Sequence, residues 1–161
     1  MDITDEYIAG FFDGEGCVSL MKHRSPSTKS HYIYNTIVII TNSNLQVLRD
    51  IRTKLGLGIL NEKPISTRNK AVYSIAIRRQ EEIKTFLNRF LPLLRVKKAE
   101  ATLLLEYINR RLSFEGDYRR FPYIERDEEI YRELKTIKGF RSHSKAKVNP
   151  SKKYSWQTEN I

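Results

Sequence analysis

Hydrophobic positions recur at helical spacing in five stretches of the chain and alternate with polar positions, as in strands, in four others. In the second helical stretch Leu45, Leu48, Ile51 and Leu55 share one stripe, and Gly56 ends the helix. The predicted helices span Thr4–Asp13, Leu45–Leu55, Gln80–Phe90, Arg95–Leu112 and Asp127–Lys138. The predicted strands span Cys17–Arg24, His31–Thr41, Ile59–Ile65 and Ala71–Arg78.

The strands come in pairs joined by short polar turns. Ser25–Ser30 contains Pro26 and several hydroxyls, and Thr67–Lys70 is basic. We therefore expect two hairpins, a mainly antiparallel sheet and an α+β fold in the order αββαββα. Residues 1–112 form the predicted core, and residues 113–161 form a C-terminal extension, in the same domain or appended, with a loop, a helix and a basic tail from Gly139.

Composition narrows the class of partner. The chain has 29 Lys and Arg against 19 Asp and Glu, a net charge of +10. This excess indicates a polyanion, with nucleic acid first and an anionic membrane surface second, and a basic protein without such a partner remains the plain alternative.

Other features exclude several classes. One cysteine, Cys17, allows no internal disulfide, and it makes no zinc site with His23, His31 and His143 because no paired ligand spacing is present. No signal peptide or membrane span is expected, so the protein is predicted to be intracellular, in the cytoplasm, nucleoid or an organelle.

The segment Ile8–Gly16 ends the first helix and contains the candidate chemistry. Gly10 and Asp13 share a helix face with Ala9 beside them, so a second helix could approach closely, while Ile8, Phe11 and Phe12 should face the core. Glu15 follows the helix, where the helix dipole disfavours a negative charge unless a cation balances it. If two copies met there, two carboxylates would converge, and Mg²⁺ would relieve their repulsion.

These nine residues resemble the LAGLIDADG motif. Ala9, Gly10, Asp13 and Gly16 match, and Glu15 replaces the second aspartate, which keeps the carboxylate on a longer arm. The resemblance covers about residues 4–110 and implies a helix–hairpin–helix–hairpin–helix core. It also implies an intron-encoded homing endonuclease that, as a Mg²⁺-dependent homodimer, makes double-strand breaks in a long pseudo-palindromic target.

The resemblance implies roles for further residues. The Gly14 carbonyl becomes a second metal ligand beside Glu15, and Lys97 a catalytic lysine that polarises water or screens phosphate, with Lys98 as its competitor. Asn42 and Gln46 lie where the family orders active-site water, although helix caps and ordinary surface explain them equally well.

The two hairpins offer a surface for double-stranded DNA, because the major groove admits a two-stranded ribbon. Strand alternation makes one set of side chains candidates for contacts to bases: Ser19, Met21, His23, Asn35, Asn61, Lys63, Ser74 and Arg78. The same alternation places Ile37 and Ile39 outward, which fits a polar interface poorly. Residues near the turns are candidates for phosphate contacts: Arg24, Lys29, Arg68 and Lys70. For each of these, plain solvation remains the alternative.

Two other functional classes remain open. An RNA maturase bound to intron RNA, or a transcription regulator, would keep the fold without cleavage, and Glu15 and Lys97 favour the nuclease over both. A ribosome-associated basic protein would explain the charge but gives no reason for Gly14-Glu15-Gly16 to follow this helix.

Overall fold

The computed structural model describes residues 3–28, 30–67 and 70–145, with side chains described except at 64–70, 118 and 140–145. The helices are α1 (Asp5–Glu15), α2 (Leu45–Leu55), α3 (Gln80–Phe90), α4 (Lys98–Leu112) and α5 (Glu125–Lys145). The strands are β1 (Gly16–Arg24), β2 (Tyr32–Asn42), β3 (Ile59–Thr67) and β4 (Lys70–Ile77). A short 3-10 turn, Tyr118–Arg120, lies between α4 and α5.

The four strands form one antiparallel sheet in the order β1-β2-β4-β3. Helices pack on one face, where Val18, Val38 and Ile75 are buried. The opposite face, here called the open face, displays the alternate side chains of each strand. Open-face positions fixed by the strand register include Cys17, Ser19, Met21, Asn35, Ile39, Asn61 and Ser74. The predicted α+β fold with two hairpins is confirmed.

The junction between α1 and β1 contains no loop. The sequence predicts that Gly14 and Gly16 end the helix, but α1 continues through Gly14 to Glu15 and β1 starts at Gly16. The Gly16 N–H donates to the Phe12 carbonyl, and a Cβ at Gly16 would lie 2.1 Å from the Phe12 ring. Only glycine therefore fits where the strand leaves the helix.

The strand β2 begins one residue later than predicted. His31 has a φ of 59°, a left-handed conformation that does not continue a strand, so the strand starts at Tyr32.

The C-terminal helix is longer than the predicted Asp127–Lys138. Its first turn is fixed by Asp127, which accepts a hydrogen bond from the Ile124 N–H at 2.8 Å and pairs with Arg110. Ile130 and Leu134 then enter the same core as the other helices. The described part of the C-terminal extension therefore packs against α4 and β1.

Among the helices of the described residues, none is long and apolar enough to span a membrane.

Candidate active site and nucleic-acid interface

Asp13 connects the end of α1 to the segment before α4. Its two carboxylate oxygens accept hydrogen bonds from the backbone N–H groups of Arg95 at 2.8 Å and Lys97 at 2.9 Å. The sequence predicts a helix from Arg95, but α4 starts at Lys98, and Asp13 instead binds the backbone N–H groups of the segment before it. Asp13 therefore has partners inside its own chain, and its predicted place at a dimer interface stays a prediction.

The Asp13 contacts also set its charge. Burial of the carboxyl raises its pKa, but the backbone N–H groups of Arg95, Lys97 and Val96 and the charge of Lys97 outweigh this effect. The pKa of Asp13 is therefore lowered, and the group is ionised at neutral pH.

The hydrogen bonds to Asp13 hold Lys97 beside the end of α1. Its ammonium donates to the backbone carbonyl of Asp13 at 2.5 Å, and the residue is only 8 % exposed. It lines a pocket of about 330 Å³ at the junction of α1 and β1, here called the Glu15 pocket. The residues lining the Glu15 pocket are Gly14, Glu15, Gly16, Cys17, Val18, Thr41, Lys97, Glu100 and Lys138. The structure thus brings Gly14, Glu15 and Lys97 together around one pocket.

Glu15 is the exposed carboxylate of this pocket. Its backbone carbonyl accepts a hydrogen bond from the Thr41 hydroxyl at 3.4 Å, which ties the end of α1 to β2. Within the described residues, no three Asp, Glu, His or Cys side chains come together as a metal-binding group.

The exposed face of α1 differs from the predicted one. Ala9 is 1 % exposed and packs in the core, because Ile8, Ala9 and Phe12 form the inward stripe. Gly10 and Gly14 lie one turn apart on the exposed side, and a Cβ at either position would meet nothing within 4 Å. Phe11, expected in the core, is half-buried and stacks on the exposed Tyr7 ring at 6.0 Å.

Asn42 and Gln46 do not reach the Glu15 pocket. The Asn42 side chain accepts from the Asn44 N–H at 2.8 Å, and Asn44 caps α2. Gln46 is exposed and donates to Asp50 at 2.9 Å. The structure therefore places both in the cap and on the surface of α2.

The first hairpin presents several of the predicted DNA-contacting residues together. Met21 pairs with Asn35 across β1 and β2, and both line an open hollow of about 250 Å³ with Arg78 and Gln80. His23 and Arg24 are exposed at the end of β1. By strand alternation His23 lies on the open face with Met21 and Asn35, whereas Arg24 has the parity of the core face.

Other predicted DNA contacts are occupied or shielded within the chain. Ser74 is 6 % exposed and accepts a hydrogen bond from the Asn61 amide at 3.1 Å. Ser19 accepts one from Lys138. Ile37 lies on the open face as predicted, but it is only 4 % exposed. It therefore adds little apolar surface to a polar interface.

On the second hairpin, fewer of the predicted DNA-contacting residues can be assigned to a face of the sheet. Asn61 and Lys63 are exposed, but the β3–β4 register shifts between Asn61 and Ile65, so simple alternation no longer fixes the face of Lys63. Lys29 and Arg68 lie outside the described residues, as does the tail beyond Lys145. Lys70 begins β4, and its side chain is outside the described set.

The pocket also has residues for which the sequence predicted no role, among them Thr41, Glu100 and Lys138. Thr41 could have been found from the hairpin register, since Gly16, which follows Glu15, pairs with Ile40, and Thr41 follows Ile40. Glu100 and Lys138 depend on how α4 and α5 pack, and no local pattern marks them.

The domain thus combines a sheet with one open face and, at the end of α1, a pocket lined by Glu15, Glu100, Lys97 and Lys138. Residues 8–108 match the family model described as LAGLIDADG endonuclease. The chain belongs to the LAGLIDADG endonuclease family, which confirms the resemblance found in the motif.

A curated relative and several solved structures are similar to the chain. The probable intron-encoded endonuclease Cox1-I1b of Schizosaccharomyces pombe is 29% identical over 143 residues, which are 84% of this chain and 34% of that protein. The chain thus spans about a third of the length of this relative.

Two of the similar solved structures are of homing endonucleases with DNA. The archaeal intron-encoded homing endonuclease I-Vdi141I complexed with DNA has a TM-score of 0.68 at 22% identity, covering 83% of this chain and 82% of that chain. The homing endonuclease I-CvuI in complex with the I-CreI target has a TM-score of 0.57 at 20% identity, covering 81% and 94%. At these identities the likeness shows the fold.

Proposed function

We propose that this chain is a divalent-metal-dependent DNA endonuclease that acts as a homodimer and cuts both strands of a long, roughly palindromic duplex. The observation that carries the proposal is the end of α1. Glu15 is exposed in a pocket shared with Lys97, and the exposed Gly10 and Gly14 lie on the same helix. One helix thus offers both a surface for a second copy and a carboxylate for chemistry.

The homodimer rests on the shape of the exposed α1 face. Gly10 and Gly14 leave room for a partner backbone, and Tyr7 and Phe11 beside them provide apolar area to bury. A pair of identical faces meets about a two-fold axis, so the two Glu15 carboxylates approach each other near that axis. A symmetric protein in turn favours a symmetric target.

The donor set of the pocket fits Mg²⁺. This ion takes oxygen ligands, keeps several waters and is usually held by one or two carboxylates together with substrate phosphates. Glu15 and the backbone carbonyl of Gly14 would hold it, and the remaining ligands would come from water, the DNA phosphate and the second copy. When bound, such an ion activates water and stabilises the departing oxygen of a phosphodiester.

Lys97 supports this chemistry from inside the pocket. Its ammonium is fixed by the Asp13 carbonyl, and its backbone by the Asp13 carboxylate. In that position it polarises a water molecule or screens the negative charge of the phosphate. Asp13 is then a positioning residue, which acts through Lys97.

The open face is the surface proposed for DNA. Met21, Asn35 and Arg78 surround one hollow, so they are the strongest candidates for contacts to base edges in the major groove. The exposed His23 continues the open face beyond Met21, and Arg24 at the hairpin end of β1 is a candidate for a phosphate contact.

Selection of cleavable sites from a random duplex library in Mg²⁺ tests the proposal. We expect recovered sites with two inverted half-sites and cuts in both strands. We also expect binding that weakens steeply with salt, as phosphate contacts require. Failure of the folded, dimeric protein to cut any duplex of the library would overturn the assignment. Tight binding without cutting would favour a non-cleaving regulator or, if intron RNA binds better than DNA, a maturase.

A further inference from the structure

The C-terminal helix contributes a lysine to the Glu15 pocket. Asp127, Ile130, Leu134 and Lys138 follow one another at intervals of three or four residues and therefore lie on one stripe of α5. The first three are 1 %, 1 % and 2 % exposed. Lys138 follows on the same stripe, and its half-buried side chain reaches Ser19 of β1.

Two anchors hold α5 in this place. At its start Asp127 pairs with Arg110 of α4. One residue later, Glu128 accepts from the Lys22 ammonium at 2.6 Å and from the Tyr34 hydroxyl at 2.5 Å. The helix then crosses the free edge of β1, since Lys22 is on the core face of that strand and Ser19 is on the open face.

The Lys138 ammonium has neutral partners. It donates to the Ser19 hydroxyl and lies 3.6 Å from the Cys17 sulfur. Among the described residues, no carboxylate oxygen lies within 4.0 Å of it, whereas the Lys22 ammonium on the other side of β1 is paired with Glu128. Lys138 is therefore held in a fixed place with its positive charge uncompensated at contact distance.

We propose that Lys138 binds a phosphate of the DNA backbone next to the bond that is cut, an inference that rests on the proposed function. A lysine ammonium binds a phosphate oxygen as a point charge, and here the Ser19 hydroxyl holds the ammonium in place. Because Lys138 and Lys97 line the same pocket as Glu15, a strand entering it meets a positive charge from α5 as well as from the segment before α4.

Lys138→Gln tests the charge, because the amide can still donate to Ser19. The matched control is Lys135→Gln on the same helix, where Lys135 is exposed and contacts the Tyr131 ring at 4.9 Å. Cleavage is measured under single-turnover conditions on a duplex that the wild-type protein cuts. Affinity is measured across a salt series with Ca²⁺ in place of Mg²⁺. Thermal unfolding verifies that both variants are folded.

We expect Lys138→Gln to lose roughly tenfold or more in cleavage rate, the factor expected for one charge-assisted hydrogen bond. The salt slope of binding should fall by about 1.8 per dimer, because each subunit would bind one phosphate fewer. Lys135→Gln should change neither quantity. Equal behaviour of the two variants on a duplex that wild type cuts would overturn this inference alone, whereas failure of wild type to cut any duplex would overturn the proposed function.

Cys17 provides a second readout, because it is the one cysteine of the chain and lies beside the Lys138 ammonium. In Lys138→Gln, 2-aminoethyl methanethiosulfonate forms a mixed disulfide with Cys17 and releases methanesulfinate, which restores an ammonium to the pocket, and methyl methanethiosulfonate adds a neutral methylthio group in the same way. We expect the charged adduct to regain cleavage relative to the neutral one. Equal rates for the two adducts would contradict a requirement for positive charge at this place.

Discussion

Replacing Asp13 by asparagine tests the connection between α1 and the segment that carries Lys97. The change removes the negative charge and leaves one oxygen to accept from two backbone N–H groups, those of Arg95 and Lys97. A hydrogen bond to a charged group contributes about 1.5–3 kcal/mol to stability. Since one such bond is removed and an amide N–H₂ is turned toward a backbone N–H, we expect the unfolding free energy to fall by about 1.5–3 kcal/mol.

Urea unfolding at neutral pH measures this difference, with Asp50→Asn as the control. Asp50 is exposed on α2, and an asparagine there still accepts from Gln46, so its change should stay within about 0.5 kcal/mol. A loss in Asp13→Asn as small as that of the control would refute the role assigned to Asp13.

The pH dependence gives a second test of Asp13. Because the pKa of Asp13 in the folded protein lies below its ordinary value of 3.8, the ionised carboxylate contributes its full stability above pH 3.8. This contribution disappears as the pH falls further through the lowered pKa. The stability difference between wild type and Asp13→Asn should therefore be constant above pH 3.8 and narrow below it. A difference that does not narrow would contradict the assignment.

Three further substitutions test separate parts of the structure. Gly16→Ala should lower the unfolding free energy in urea by about 1–3 kcal/mol, because the new methyl group meets the Phe12 ring, and unchanged stability would contradict this packing. Gly10→Leu should leave a folded monomer in sedimentation equilibrium, whereas an intact dimer would argue against the α1 interface. Glu128→Gln should speed amide hydrogen exchange in α5 and cost about 1–2 kcal/mol, since Lys22 loses its charged partner, and exchange at the wild-type rate would exclude Glu128 as an anchor.

The elements set by local chemistry were predictable from the sequence. The stripe from Leu45 to Leu55 gives α2, and Gly56 ends it at a φ of 67°, a conformation that glycine adopts without strain. The hairpins followed from alternating strands and polar turns. The motif at Ile8–Gly16 predicted where the pocket lies, because the residues of the motif are adjacent in the sequence.

Long-range contacts were not predictable in the same way. Asp13 has the helical spacing of an interface residue, but its partners lie 82 and 84 positions away in the chain. Ala9 is small enough for either a partner helix or the core, and only the tight packing around it shows that it is in the core. Lys138 enters the pocket because α5 crosses the edge of β1, a packing relation that no local pattern contains.

Cleavage by Glu15→Gln, on a duplex selected with the wild-type protein, tests the central claim most directly. The substitution removes the exposed carboxylate of the pocket and leaves the sheet and the α1 face unchanged. The account predicts that the variant binds this duplex as a dimer with wild-type affinity and cuts neither strand in Mg²⁺. Cutting at the wild-type rate would contradict it.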